Sequence, residues 1–165
     1  MTATRSRGGA TPALRILNAS GMAYEVHEFE HDPNVRQYGP EAAHALGVSA
    51  DRVFKTLVIS VDGALVNAIV PVSGQLDLKA LAQAAGGKRA ELAGLAEAER
   101  TTGYVAGGVS PLGQRKQLLV VADHTIKDHE TIFVSGGRRG LDIELTPTAF
   151  LEITNATCAK IATLD

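Results

Sequence analysis

The feature that most constrains this chain is a pair of apolar runs joined by Asp62-Gly63. Val53 to Val61 and Leu65 to Val70 are rich in β-branched residues. An Asp-Gly step between two such runs predicts a tight hairpin, because glycine tolerates the positive φ that the turn needs. An isolated hairpin is marginal in water, so the rest of the chain must supply partners and cover.

Those partners can be read in order. Thr11-Pro12 predicts a helix start: threonine caps the first N–H groups, and proline loses nothing at a position where its N–H has no partner. Leu14, Ile16 and Leu17 give that helix an apolar side, and Gly21 ends it. Tyr24 to Glu30 alternates well enough for a half-buried strand, and His31-Asp32-Pro33 breaks it into a turn or extended loop. Glu41 to Leu46 reads as a short helix closed by Gly47. Asp77 caps another helix to about Ala85, with Leu78, Leu81, Ala82 and Ala85 expected on its buried face. Leu95 to Arg100 is a further short helix, and Gly103 to Gly113 is a glycine-rich loop. Leu118–Ala122, Thr131–Ser135 and Leu141–Leu145 read as strands, with Gly136-Gly137 as a turn. Thr146-Pro147 repeats the cap-and-proline start for a last helix to about Ile153. Strands and helices mix without regular βαβ alternation. That predicts an α+β fold, one domain over residues 11–165 with a mixed, mostly antiparallel sheet flanked by helices. Residues 1–10, basic and without an apolar stretch, are expected to be a loose tail.

Composition narrows the function. Aromatic residues make up 4% and tryptophan is absent, so the core must rest on Val, Leu, Ile and Ala. The net charge of -2 supplies no global field to draw in nucleic acid, so any RNA must be met by a local patch or with a helper protein. A single cysteine, Cys158, excludes an internal disulfide and a cysteine-rich zinc site, fits a reducing compartment, and is expected to be a buried structural thiol. No apolar run approaches the ~20 residues that span a bilayer, and a cytoplasmic location is expected. His27, His31, His44, His124 and His129 show no metal-ligand spacing, so neither a metal nor a cofactor is expected.

A few segments can carry chemistry. Lys55 interrupts an apolar strand, with alternation placing Val53, Lys55 and Leu57 on one face. An ammonium between apolar neighbours is costly to bury without an anion. Lys55 is therefore either an edge-strand lysine with its head in water, or a cleft lysine that meets a phosphate or carbonyl. The run Gly107-Gly108-Val109-Ser110-Pro111-Leu112-Gly113 matches neither a P-loop nor the GxSxG elbow. It is either a surface loop or a nest of backbone N–H groups suited to an oxyanion. Arg138 and Arg139, with Arg115 and Lys116, make either a local basic rim or ordinary solvated turns. Asp142 alternates into a strand and can pair with Lys55 or with an arginine.

Six segments in order resemble the Cys-tRNA(Pro) deacylase (YbaK/EbsC) family. They are TPALRIL at 11–17, HEFEHDP at 27–33, VFKTL at 53–57, PVSGQLDLKALA at 71–82, TGYVAGGVSPLGQRK at 102–116 and FVSGGRRGLDIEL at 133–145. The resemblance implies a mixed α+β editing domain similar to the insertion domain of bacterial prolyl-tRNA synthetases. It implies that Lys55 holds the 3′-terminal adenosine or its phosphate. It implies that Gly107, Gly108, Val109, Ser110 and Pro111 wall the pocket, with N–H groups between Gly107 and Ser110 facing the ester carbonyl. Phe29, His31, Thr56, Val109, Pro111, Arg138 and Asp142 are the expected substrate contacts. Phe29 stands where family members often carry tyrosine, which removes a hydroxyl. No nucleophile-and-base pair stands out in the sequence. That agrees with the implied mechanism, in which the substrate's own cysteine thiol attacks the ester. The implied partners are the mischarged tRNA(Pro) 3′ end and prolyl-tRNA synthetase. The competing readings are an Ala-tRNA(Pro) deacylase using water, a non-catalytic tRNA- or nucleotide-binding module, and a serine hydrolase using Ser110.

Overall fold

Helix α1 spans Pro12–Ser20, and the Thr11 hydroxyl accepts from the Leu14 N–H at 3.2 Å to cap it. This computed structural model describes residues 10–35 and 38–164. Nine residues of the expected N-terminal tail, 1–9, lie outside the described ones. Strand β1 (Glu25–Glu28) leads through the His31-Asp32-Pro33 segment to α2 (Tyr38–Leu46). That helix starts three residues before the expected Glu41, and Pro40 is accommodated because N–H groups of a first turn have no helical partner.

The hairpin forms as read: β2 (Phe54–Val61) and β3 (Ala64–Pro71) pair antiparallel from Phe54↔Pro71 to Val61↔Ala64. Asp62 and Gly63 take the positive φ that the turn needs, 50° and 89°. There follow β4 (Gly74–Leu76), α3 (Leu78–Ala84), β5 (Ala90–Leu92), α4 (Leu95–Thr102), β6 (Leu119–Asp123), β7 (Ile132–Arg138), β8 (Leu141–Leu145), α5 (Pro147–Thr154), β9 (Thr157–Ala159) and β10 (Ala162–Leu164).

These strands make a five-stranded sheet ordered β5-β2-β3-β6-β9, a three-stranded sheet ordered β1-β8-β7, and a β10-β4 pair. β3–β6 and β6–β9 are parallel and the other strand pairs are antiparallel, which is the mixed α+β arrangement expected. The large sheet is buried on both faces. Ile69, Val120 and Ala122 pack with α1, α5, β7 and β8, while Ala68, Val70 and Val121 pack with Leu81 and Ala82 of α3. A third cluster joins Ala42 and Ala43 of α2 to Val53 and Phe133. There the two sheets touch through a parallel bridge between Val53 and Phe133.

Three expectations change. Gly136-Gly137 is not a turn. β7 runs through it with a register shift between Ser135 and Arg138, and the chain reverses at Arg139-Gly140 instead. Gly137, at φ 110°, supplies the irregularity, and Gly136 lies so close to Leu141 that a Cβ would sit 2.8 Å from its Cγ. Leu78 is 37% exposed, so the buried face of α3 narrows to Leu81 and Ala82. Cys158 sits in β9 and is only partly buried. Among the described residues, no helix is long and apolar enough to cross a membrane.

Candidate active site

Residues of both sheets line a cleft of about 570 Å³. One wall is the start of α2, with Tyr38, Gly39, Pro40 and Ala42. The floor is Val53, Phe54, Lys55, Thr56 and Leu57 of β2 and the segment before it. Val72, Gly74 and Gln75 close one side, and Gly107, Val109, Ser135 and Asp142 the other. The small residues Gly39 and Gly74 hold the walls close. A Cβ on Gly39 would sit 2.8 Å from Val72, and one on Gly74 would sit 2.8 Å from the Thr163 carbonyl oxygen.

Five of the residues named from sequence meet here: Lys55, Thr56, Gly107, Val109 and Asp142. Lys55 pairs with Val70 on one side, beyond the reach of β5 on the other, and it is partly exposed and lines the cleft. Asp142 lies opposite Ser135 and His27 in the small sheet and is only 7% exposed. Burial pushes its carboxyl up to about 7. Among the described residues no salt bridge joins Asp142 to Lys55 or to an arginine, so the expected ion pair is not formed. The Thr56 hydroxyl oxygen is buried without a hydrogen-bond partner.

The other named residues do not line this cleft. Ser110 is fully buried, and its hydroxyl accepts from the Leu112 N–H at 3.2 Å. A side chain committed to the inside of the loop cannot serve as the nucleophile of a serine hydrolase. The Gly108 N–H donates to Val105 at 3.0 Å, which removes it from the expected oxyanion nest. Gly108 instead lets the loop lie on β7, since a Cβ there would sit 2.7 Å from the Arg138 Cα. Pro111 lines a separate pit of about 70 Å³ with Leu112 and Gln114. Phe29 packs against the α2 cluster and not into the cleft, so the absent tyrosine hydroxyl bears on that packing.

His31 and Arg138 each meet an acid. His31 Nδ1 meets Glu41 Oε1 at 2.8 Å, and Glu41 Oε2 also accepts from the Asp32 N–H at 3.0 Å. Burial works against the Glu41 charge, but these two hydrogen bonds outweigh it and hold its carboxyl below the usual range. Arg138 reaches Glu28 at 3.5 Å, and Arg139 turns toward Tyr38 and His31. Arg115 lies instead over Gly103 at the end of α4, so the four basic residues do not form one rim.

The glycine-rich loop is anchored from behind. Asn67 and Gln114 exchange amide hydrogen bonds at 2.9 and 3.0 Å, and Gln114 donates to the Ser110 carbonyl at 2.9 Å. The Tyr104 hydroxyl donates to the Leu112 carbonyl at 2.6 Å, and burial pushes that phenol up to about 12. Sequence reasoning missed these anchors, and it missed Tyr38, Gly39, Ala42, Val72, Gly74 and Gln75 in the cleft wall, while Ser135 fell inside the segment from Ser135 to Asp142 that it singled out. Val72, Gly74 and Gln75 fall inside the PVSGQLD segment, which is the signal that was present.

Outside the cleft, Glu25, His27 and Glu144 gather with candidate ligand atoms within 4.8 Å of one another. Those donor types suit a divalent ion, but Glu144 already accepts from Thr131 and from His27 at 2.8 Å, with Arg52 at 3.5 Å. Burial opposes the Glu144 charge, and the Thr131 and His27 hydrogen bonds overcome it. The group acts as an ion-pair network across β1 and β8.

Comparison with known proteins shows what this chain is similar to. Residues 32–153 match the model of the aminoacyl-tRNA editing domain. A protein of Enterococcus faecalis named for Cys-tRNA(Pro)/Cys-tRNA(Cys) deacylase activity, EbsC, is 38% identical over 156 residues, covering 94% of each chain. The Escherichia coli multifunctional Ser/Thr-tRNA deacylase ProXp-y is 42% identical over 114 residues, covering 67% of this chain and 66% of its own. A solved structure described as a trans-editing enzyme for prolyl tRNA synthetase superposes with a TM-score of 0.81 at 25% identity, covering 94% of this chain and 99% of its own.

Proposed function

The chain belongs to the aminoacyl-tRNA editing domain family, and from that membership and the cleft we propose that it is a deacylase removing cysteine from Cys-tRNA(Pro) in the cytosol. The observation that carries the reading is the chemistry of the cleft lining. It offers an ammonium on β2 and a near-neutral carboxyl on β8, not paired with each other. Among the described residues, neither a histidine nor a cysteine lines it. Such a site can grip and polarise an ester but has no Ser–His or Cys–His pair with which to attack it.

Lys55, a point charge on a long stem, holds the terminal adenosine or its phosphate. The thiol of the esterified cysteine attacks its own carbonyl carbon, the bond from that carbon to the ribose oxygen breaks, and a cyclic thioester leaves. Asp142 accepts the thiol proton and returns it to the ribose oxygen, so the proton count closes. A carboxyl near 7 is well matched to this, because a free thiol ionises near ~8.5 and transfer is most efficient between groups of similar pKa. Binding energy serves position here, since an aminoacyl ester is already reactive. A second sieve is useful because a synthetic pocket discriminates one methylene by only ~1–3 kcal/mol.

The relative named for prolyl tRNA synthetase supports that synthetase as the partner that presents the tRNA. The Ser/Thr-tRNA deacylase relative supplies the competing substrate class. Deacylation of Cys-, Ala-, Ser- and Thr-tRNA assayed side by side tests the reading. Cys-tRNA(Pro) should be cleaved fastest and Lys55→Ala should suppress it. Equal or faster cleavage of Ala- or Ser-tRNA would transfer the function to a water- or hydroxyl-based deacylase.

A further inference from the structure

Arg139 sits where three segments framing the cleft meet. Its guanidinium carbon lies 4.2 Å from the centroid of the Tyr38 ring, and Nη2 donates to the Tyr38 hydroxyl at 2.6 Å. Nε donates to the Ala106 carbonyl at 3.2 Å, and Nη1 lies 3.5 Å from His31 Nε2. Gly107 makes room for this stack: a Cβ there would fall 2.4 Å from Arg139 Nε and 2.9 Å from Tyr38 Cε2. A guanidinium carries five N–H groups, and these contacts use three of them. Arg139 is exposed, so part of a planar cation faces solvent at the cleft mouth.

The size of the cleft decides what this cation meets. About 570 Å³ is the volume of a small-ligand site, enough for an amino acid on one nucleoside but not for a strand. The rest of a single-stranded RNA end must cross the rim, and Tyr38 and Gly107 form the part of the rim beneath Arg139. With a net charge of -2 the chain cannot rely on long-range attraction for phosphates. A stacking surface with one local cation is the physical alternative, and it is how unpaired bases are commonly held.

We propose that the Tyr38–Arg139 stack is a second nucleotide subsite. It takes the unpaired nucleotide immediately 5′ of the aminoacylated nucleoside. The base stacks on the outer face of the guanidinium, and the phosphate accepts its remaining N–H groups. This rests on the reading of the cleft as an aminoacyl-tRNA site, and it adds what that reading lacks, a contact that measures RNA length.

The test compares kcat/KM on a cysteinylated CCA trinucleotide with that on 3′-cysteinyl-adenosine, for wild type, Arg139→Ala and Arg139→Lys. Wild type should prefer the trinucleotide by tenfold or more. Arg139→Ala should reduce that preference about tenfold, within what one base stack contributes. Arg139→Lys keeps the charge but loses the plane, and should also reduce it. Absence of a preference in wild type, or its survival in both variants, overturns the proposal. An equal loss on both substrates leaves the ratio unchanged, marks Arg139 as only structural, and overturns it too. If wild type cleaves neither substrate, the deacylase reading fails first. Binding of the uncharged CCA trinucleotide then decides the subsite: about tenfold weaker binding by Arg139→Ala supports it, and equal binding overturns it.

Discussion

In the proposed mechanism Lys55 and Asp142 are the two ionisable groups on which the chemistry turns, and each has a distinct expected signature. Lys55→Ala should lower kcat/KM for Cys-tRNA(Pro) by roughly 10- to 100-fold, the worth of a charge-assisted contact, with an unchanged circular dichroism spectrum. Asp142 has the opposite sign from an ordinary carboxylate. Its folded pKa is raised by burial to about 7, so the folded protein favours the protonated form. Nothing is lost below the unfolded value of ~3.9; the loss accrues as pH rises from there to the folded value, because the unfolded chain gives up its proton first, and it is complete once pH has risen through about 7. Asp142→Asn should therefore stabilise the protein at pH 8, by up to about 4 kcal/mol, with the gain vanishing near pH 4 in denaturant titrations. The same change should remove an inflection near pH 7 from the kcat/KM profile. An inflection that persists in Asp142→Asn assigns the titration to another group.

At the scale of elements, a buried carboxylate holds the C-terminal strands. Asp123 ends β6, is 1% exposed, and accepts from the Ile161 and Ala162 N–H groups at 2.9 Å each and from Thr125. Burial raises its pKa, but those hydrogen bonds outweigh it and leave the carboxyl below its usual range. Its stabilisation is therefore present above the unfolded pKa and lost as pH falls below ~4. Asp123→Ala orphans buried donors and should cost about 3 kcal/mol, read as a Tm lower by roughly 6–12 °C. An unchanged Tm would contradict the role given to these bonds.

The same elements show what a sequence can disclose. Thr11, Asp77 and Thr146 were legible as caps, and each side chain accepts from the N–H three residues on. The hairpin was legible because Asp62-Gly63 admits one local solution. β4 and β10 were not, because three residues carry no period, and Gly74–Leu76 finds its partner only at Ala162–Leu164. In the site, Lys55 stood out as a charge in an apolar run, and Asp142 as a charge in a strand. Gly39, Ala42, Val72 and Gly74 did not, because they contribute shape and carry no reactive group. Ser110 misled for the reverse reason: its hydroxyl, chemically eligible, is spent on the Leu112 N–H.

For the whole molecule, the balance of charge sets how RNA is met. With a net charge of -2, and with Lys55 and Arg139 as the cations that the described residues offer to the proposed RNA end, few counterions should be released on binding. The salt dependence of tRNA binding should be shallow, with a log–log slope between about −1 and −2. A slope several times steeper would reveal a broader basic interface than these two residues. Weak intrinsic affinity is the expected companion of a partner that delivers the tRNA, and added prolyl-tRNA synthetase should raise the apparent affinity in the same titration.

In the proposed reaction the bond is cleaved by sulfur that arrives with the substrate. Single-turnover release of amino acid from Cys-tRNA(Pro), compared with the same tRNA after S-methylation of its cysteine, tests this most directly. Release should fall to the uncatalysed rate when the sulfur is blocked. Release of the methylated cysteine at a rate close to that of the free thiol would contradict the mechanism and require a nucleophile from protein or water.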